Sequence, residues 1–535
     1  NEKSIYSTSS NVIKGGSLTL SPSTENAFKK NATLENGASI NVEQGGKLVI
    51  TGGDKKYTFS ENQAANGGAI YAELTNFENA AIEALNVTNS TFSKNQATTN
   101  GGAIYAAFVP QEGNNNIVTS AINSNVFEGN TAQNGGAVYA EVRDGNKVIS
   151  LDFSANSFYK NVATENGGAI SVVSLGSEKF TTQINNSHFN ENTAKNGGAV
   201  YTQITEGNQE NILNVANNNF ASNVATENGG AIYAETAGEG KLTATVANNT
   251  FKENKAANGG AVYIKNTNSN IGSSFTTSNN TFSKNTASQN GGAIYADNTI
   301  LVVDNSTFEE NSANGLGGAI YAPNSEVLAT DTNFLNNSAG NGSAIYAKRM
   351  TITAENQDVN ISGNNGYALV STDGDIVFNA GNGKTITVDD NIYVSSSDET
   401  AGITFTNAGT YQFNGKIDLA SPYATGFVFA GNASGATVEL NKTAATGSYS
   451  IMQNVANVTL DLQNEHAGDT ITVPYIISTA TSNTLNVKVD YDVTANAIDN
   501  LVIGTNQFVI GDKKEDGVAQ NINFDLNNIE VLNDD

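Results

Sequence analysis

The chain has 535 residues, with 26 basic against 52 acidic side chains, a net charge of −26, and neither cysteine nor tryptophan. An acid excess of this size disfavours binding to phosphate backbones, which needs clustered Lys and Arg. Without cysteine there is no disulfide framework and no thiolate chemistry, and no apolar run approaches the ~18 residues of a membrane-spanning helix.

The chain opens on NEKSIYSTSS, without a charged-then-apolar export segment, so any such signal is expected to have been removed. Residues 1–58 already hold strand-like phrases, GGSLTL from Gly15 and GASINV from Gly37, and read as N-terminal capping coils. Capping is expected because an exposed terminal coil is a template for aggregation.

Residues 59–350 are built on a refrain, NGGAIYA at Asn66 to Ala72, which returns every 25 to 34 residues through Gly317-Gly318 and, altered, at Gly342-Ser343. Such a period signals a solenoid, a propeller or an array. Short runs of Val, Ile, Thr, Tyr and Phe separated by Asn, Gly and Ser read as strands and turns, as in LTATVAN, NTFKEN and GGAVYI between Leu242 and Ile264. A three-strand unit cannot close a core alone, but stacked on its neighbours it pairs in parallel at about 4.8 Å per step. The predicted fold is all-β, a right-handed parallel β-helix with three short strands per coil.

The first glycine of each pair is expected to supply a positive φ and the second a close backbone approach. Ile70, Val138, Ile170 and their equivalents should point inward. Upstream of each refrain stands F-x-x-N, from Phe59/Asn62 to Phe334/Asn337, followed two residues later by Ala. Stacked Phe would form an aromatic ladder, and stacked Asn would bond amide to amide between coils.

The paired phrases GGA[IV] and F-x-x-N resemble the repeats of the chlamydial-type polymorphic outer-membrane proteins. The resemblance covers about residues 59 to 350. It implies the passenger domain of an autotransporter, a β-helical adhesin at the bacterial outer-membrane surface, with membrane attachment only through a part absent from this chain.

Between refrain and next coil lie EVRDGNKVISLDF (Glu141 to Phe153), SLGSEKFTTQI (Ser174 to Ile184), ITEGNQENILNV (Ile204 to Val215) and ETAGEGKLTATV (Glu235 to Val246), each a strand-like run interrupted by a turn-like cluster. They read as edge hairpins forming a flange. Residues 351–456 read as smaller, less regular coils, and 457–535 as a C-terminal β cap or small β domain.

A β-helix also hosts polysaccharide lyases and hydrolases, so catalytic groups must be sought. Asp389-Asp390 and Asp373-Gly374-Asp375 read as turn residues, the latter lacking the oxygens a calcium site needs. His188 and His466 have no ligand-spaced partner, and Arg143, placed at a hairpin tip, and Arg349 have no carboxylate cluster nearby in sequence. No cofactor, metal or enzymatic activity is expected. The candidate binding residues are a tyrosine file, Tyr71, Tyr105, Tyr139, Tyr201, Tyr233, Tyr263, Tyr295, Tyr321 and Tyr346, broken once at Ser171. Period-two alternation puts it outside, where it could meet protein or sugar; the favoured reading is that stacked rings stabilise the sheet. The expected partner is a surface protein or glycan of a host or neighbouring cell, or a second copy of the chain, and not nucleic acid. The alternative function is a structural protein forming a surface fibre or layer, with a polysaccharide lyase or hydrolase third.

Overall fold

The computed structural model describes residues 3–440, except 6–10, 22–25, 76–81, 110–117, 206–209, 238–239, 268–271, 396–401 and 421–424; beyond 440 it describes backbone strands alone, within 449–525. Every assigned element is a β-strand or bridge, and the chain divides into two compact units, Asn1–Leu301 and Val302–Asp535.

In the first unit a coil starts with the F-x-x-N strand, as in His188–Asn190, turns into Thr193–Asn196, and turns again into the refrain strand Val200–Ile204. Each strand pairs in parallel with its equivalent one coil on: His188–Asn190 with Asn219–Ala221, Thr193–Asn196 with Val224–Asn228, and Val200–Ile204 with Ile232–Thr236. The predicted parallel β-helix is therefore present, with a fourth strand, Glu210–Ala216, in the same sheet as the refrain strand.

Among the described residues the edge hairpins are not found. Val138–Ser154 is one long strand lying in parallel on Ile170–Asn185, and Lys179–Asn185 continues onto Glu210–Ala216, itself parallel to Lys241–Ala247. A strand has two edges, and here neighbouring coils occupy both, so no antiparallel partner can be added. In these two long strands the turn-like clusters are tolerated because pairing with the next coil outweighs local turn preference; residues 206–209 and 238–239, the turn-like clusters of the other two segments, lie outside the described part.

The ladders follow the expectation. Phe59, Phe92, Phe127, Phe158, Phe189, Phe220, Phe251 and Phe282 are buried, and consecutive rings through Phe282 stack at 4.7–4.9 Å. Phe28 extends the stack one coil earlier, at 4.8 Å from Phe59; Phe28 to Asn31 is itself an F-x-x-N phrase, missed in the sequence. Each ladder asparagine spends its amide fully. Asn161 Nδ2 donates to Phe127 O at 3.0 Å and to Asn192 Oδ1 at 3.0 Å, while its Oδ1 accepts from Asn130 N and Nδ2. The residue before each ladder asparagine turns the corner at positive φ, 54° at Lys160 and 55° at Glu191, and Gly129 takes that place in its coil.

The two refrain glycines do the two different jobs expected of them. Gly135 has φ +61°, and a Cβ on Gly136 would lie 2.1 Å from Gly168 O. The inward row from Ile70 to Ile294 is fully buried.

In the second unit Phe334 stacks on Phe308 at 5.1 Å, after which Ile361 takes the place of Phe. The asparagine ladder runs from Asn311 through Asn337 to Asn364, and Asp390 receives Asn364 Nδ2 at 2.8 Å. Parallel pairing continues past residue 457, with Val458–Gln463 on Thr437–Leu440 and Thr484–Asp490 on Val458–Gln463; Gln520–Asp525 then pairs antiparallel with Thr484–Asp490.

Candidate functional site

Alternation in each refrain strand turns its Ile or Val inward and its Tyr outward, and parallel in-register pairing brings the tyrosines into a file. In the first unit the rings stack at 4.8 Å (Tyr71 to Tyr105), 5.5 Å (Tyr105 to Tyr139), 5.0 Å (Tyr201 to Tyr233), 5.1 Å (Tyr233 to Tyr263) and 4.6 Å (Tyr263 to Tyr295). Ser171 separates the two runs, and Val173 packs against both. In the second unit Tyr321 and Tyr346 lie tilted at 5.4 Å.

The expected exposure is corrected by this packing. Tyr71, Tyr105, Tyr139, Tyr201, Tyr233 and Tyr263 are only 3–8 % exposed, whereas Tyr295, Tyr321 and Tyr346 are half-buried. Stacking hides both faces of Tyr105, Tyr233 and Tyr263, Val173 packs against both runs where Ser171 parts them, and the next outward row covers the edges. That row is Glu73, Ala107, Glu141, Val173, Gln203 and Glu235, placed by the same register.

The phenol ends are tied into that row. Tyr71 donates to Glu73 at 3.1 Å, Tyr105 and Tyr139 to the two oxygens of Glu141 at 2.7 and 3.1 Å, Tyr201 to Gln203 at 2.7 Å and Tyr233 to Glu235 at 2.6 Å. Arg143 lies in the long strand and not at a hairpin tip. Its Nε donates to Glu141, its Nη2 to Tyr105 at 2.7 Å, and its Nη1 stands 3.7 Å from Glu73, two coils away. Sequence distance concealed this cluster; the coil period, which superposes Glu73 and Glu141, was the signal for it.

Burial first, and then the Glu141 and Glu235 carboxylates, push Tyr105 and Tyr233 far above the ordinary phenol range. Tyr71, Tyr139, Tyr201 and Tyr263 are raised in the same way, burial leading. These phenols stay protonated, with Tyr71, Tyr105, Tyr139 and Tyr233 donating to carboxylates and Tyr201 to the Gln203 amide oxygen, which suits packing and offers no activated nucleophile. In the second unit Tyr367 is pushed up to about 12, first by its bond to Asp418 and then by burial.

The other candidates have structural partners. Asp390 ends the asparagine ladder, Asp389 accepts from Asn414 at 2.6 Å, and Asp375 accepts from Gly402 N at 2.7 Å and Thr404 Oγ1 at 3.1 Å. Asp373 pairs with Lys348 at 3.4 Å. His188 is an exposed member of an outward row, and His466 lies outside the described residues. Among the described residues no three His, Cys, Asp or Glu side chains gather as a metal site. A shallow open groove of about 390 Å³ runs over the second unit's F-x-x-N-side sheet, between Asp358, Asn360, Thr385, Thr387, Asp389 and Gln412.

The outward rows on that side of the first unit have a different character. Val126, Ser157, His188, Asn219, Thr250 and Thr281 succeed one another in strict register while the adjacent inward residue is always Phe.

Compared with known families, nine segments of the chain match the Chlamydia polymorphic membrane protein repeat, at residues 56–73, 89–107, 126–141, 157–173, 186–203, 218–235, 281–297, 305–323 and 331–348. The coil of Phe251 and Gly259 is not among these segments, yet it pairs in register with both neighbours. No curated protein and no solved structure matches the chain.

Proposed function

We propose that this repeat-bearing chain is the displayed portion of a bacterial outer-membrane surface protein, exported in the manner of an autotransporter, and that it acts as an adhesin. One observation carries the reading: the coil is constant inside and variable outside. Phe, Asn, Gly and Ala recur at the positions that set coil spacing, while the outward neighbour of the phenylalanine changes through Val, Ser, His, Asn and Thr without altering the register. A scaffold that fixes backbone and frees surface suits recognition, because specificity then rests on side chains that cost the fold nothing. The repeat family supports the surface location. The inner tyrosines belong to the scaffold; the outward rows and the polar groove are the contact surface, and the partner is a protein or glycan on another cell.

Binding of the purified chain to cultured cells tests this, with the cells treated beforehand by protease or by glycosidase. Saturable binding lost after one treatment supports adhesion and identifies the partner's class. No binding above that of an unrelated acidic protein would refute it.

A further inference from the structure

The refrain contains a chemical liability. Its first dipeptide is Asn-Gly, the sequence in which an asparagine side chain is most readily attacked by the backbone nitrogen that follows it. The glycine nitrogen loses its proton to solvent base and bonds to Cγ, Nδ2 departs as ammonia, and water opens the resulting succinimide to aspartate or isoaspartate. The reaction needs a glycine N–H free to ionise and an asparagine side chain free to swing onto it.

The first unit removes both freedoms. Gly67, Gly101, Gly135, Gly167, Gly197, Gly229 and Gly259 each donate their N–H to the carbonyl of the next refrain asparagine at 2.8–2.9 Å. The asparagine side chains form a file of their own beneath them: Asn134 Nδ2 donates to Asn100 Oδ1 at 3.0 Å, Asn166 to Asn134 at 3.0 Å, Asn196 to Asn166 at 3.3 Å and Asn228 to Asn196 at 3.0 Å.

The second unit breaks this file. Its first refrain reads Asn314-Gly315-Leu316-Gly317-Gly318, so Leu316 takes the place opposite Asn341 where every earlier coil offers an amide. Asn341 Oδ1 is left buried without a partner, and the Gly342 N–H finds no acceptor among the described residues. Asn314, displaced from the file by the extra residues, is exposed, and the Gly315 N–H is also without an acceptor there. Asn382-Gly383 forms an exposed turn closed by Lys384 N to Gly381 O at 2.9 Å, a bond that leaves the Gly383 N–H unused.

We infer that Asn314, Asn341 and Asn382 are sites at which the folded chain converts asparagine to aspartate and isoaspartate, and that the refrain asparagines from Asn66 to Asn258 are shielded by the fold; the second unit's other Asn-Gly pairs hold their side chains in bonds, Asn365 Oδ1 accepting from Ala339 N at 2.9 Å and Asn414 Nδ2 donating to Asp389 at 2.6 Å. Conversion at a shielded position would insert a carboxylate, or an extra backbone methylene, into a file that tolerates neither. At Asn314 and Asn382, both exposed, the product lies outside the file, and at Asn341 it falls where Leu316 has already ended the file. Shielded residues react only through local opening, so their rates fall with the stability of the coil.

The intact chain is incubated at mildly alkaline pH and physiological temperature, in buffer and in strong urea, and each Asn-Gly peptide is followed by mass and by isoaspartate content. In urea all sites should convert at comparable rates. In buffer each of Asn314, Asn341 and Asn382 should convert faster than Asn100, Asn134 or Asn196 by an order of magnitude or more, and Asn341→Gln or Asn382→Gln should abolish the mass gain at its own peptide alone. Equal rates for open and file positions in buffer would overturn the inference. So would any of the three converting as slowly as the file.

Discussion

A methyl group added at Gly136 would sit 2.1 Å from Gly168 O and 2.7 Å from the backbone of Val162, whereas one added at Gly53 would meet nothing within 4 Å. Backbone cannot yield as a side-chain tip can, so Gly136→Ala is expected to cost about 3 kcal/mol or more, and Gly53→Ala to stay within about 0.5 kcal/mol of neutral; denaturant unfolding of the two variants checks this. The tyrosines give a second prediction at this scale. Their folded pKa values lie above the unfolded value of about 10, so the folded chain holds these protons more tightly. Their contribution to stability is whole below pH ~10 and falls as pH rises from there towards the folded values, by about 1.4 kcal/mol per pH unit for each tyrosine. Alkaline titration should show tyrosinate absorbance appearing together with loss of the β signal. Ionisation of all 19 tyrosines near the ordinary pKa with the sheets intact would contradict the buried file.

At the scale of elements, the strands were legible in the sequence wherever the coil repeats, because alternation and register specify each other: Phe beside Asn and Gly beside Ala could only be read one way once ten copies were aligned. The long strands were not legible. Asp144-Gly145 looks like a hairpin turn, and nothing local says that the coils before and after will claim the two edges of the strand. The tyrosine file lies on the outward face that alternation gives it, but its burial was not legible, since that comes from the stack itself and from Glu141 and Arg143, whose partners lie a coil or more away. The parallel arrangement makes a direct prediction. Ser150 lies opposite Thr181 in register, and adjacent strands are about 4.8 Å apart, within the separation a disulfide spans. In a chain without cysteine, Ser150→Cys with Thr181→Cys should cross-link on mild oxidation. Were Glu141 to Phe153 a hairpin, Ser150 would face its own segment and the pair would stay reduced.

For the molecule as a whole, stacking implies that coils are exchangeable units, each contacting its neighbours and little else. His188 and Asn219 occupy the same place one coil apart, a separation of 31 residues also seen between Asn192 and Asn223. Deleting residues 188–218 joins Ser187 to Asn219 with every ladder restored, and that variant should fold with its β signal intact and a modestly lower melting temperature. Deleting only 188–203 leaves the ladders out of register, and that variant should not fold. The net charge of −26 keeps such a surface from non-specific association with anionic cells, so adhesion has to come from particular outward side chains. The most direct measurement is therefore cell binding by two matched sets of variants, His188→Ala with Asn219→Ala on the outward row and Phe189→Leu with Phe220→Leu on the inward one, each set read beside its melting temperature. The outward pair is expected to lower binding while melting is unchanged, and the inward pair to lower melting while any folded fraction still binds. Binding untouched by the outward pair and by equivalent changes along the other outward rows and the groove would contradict the claim that this scaffold is constant inside in order to vary outside.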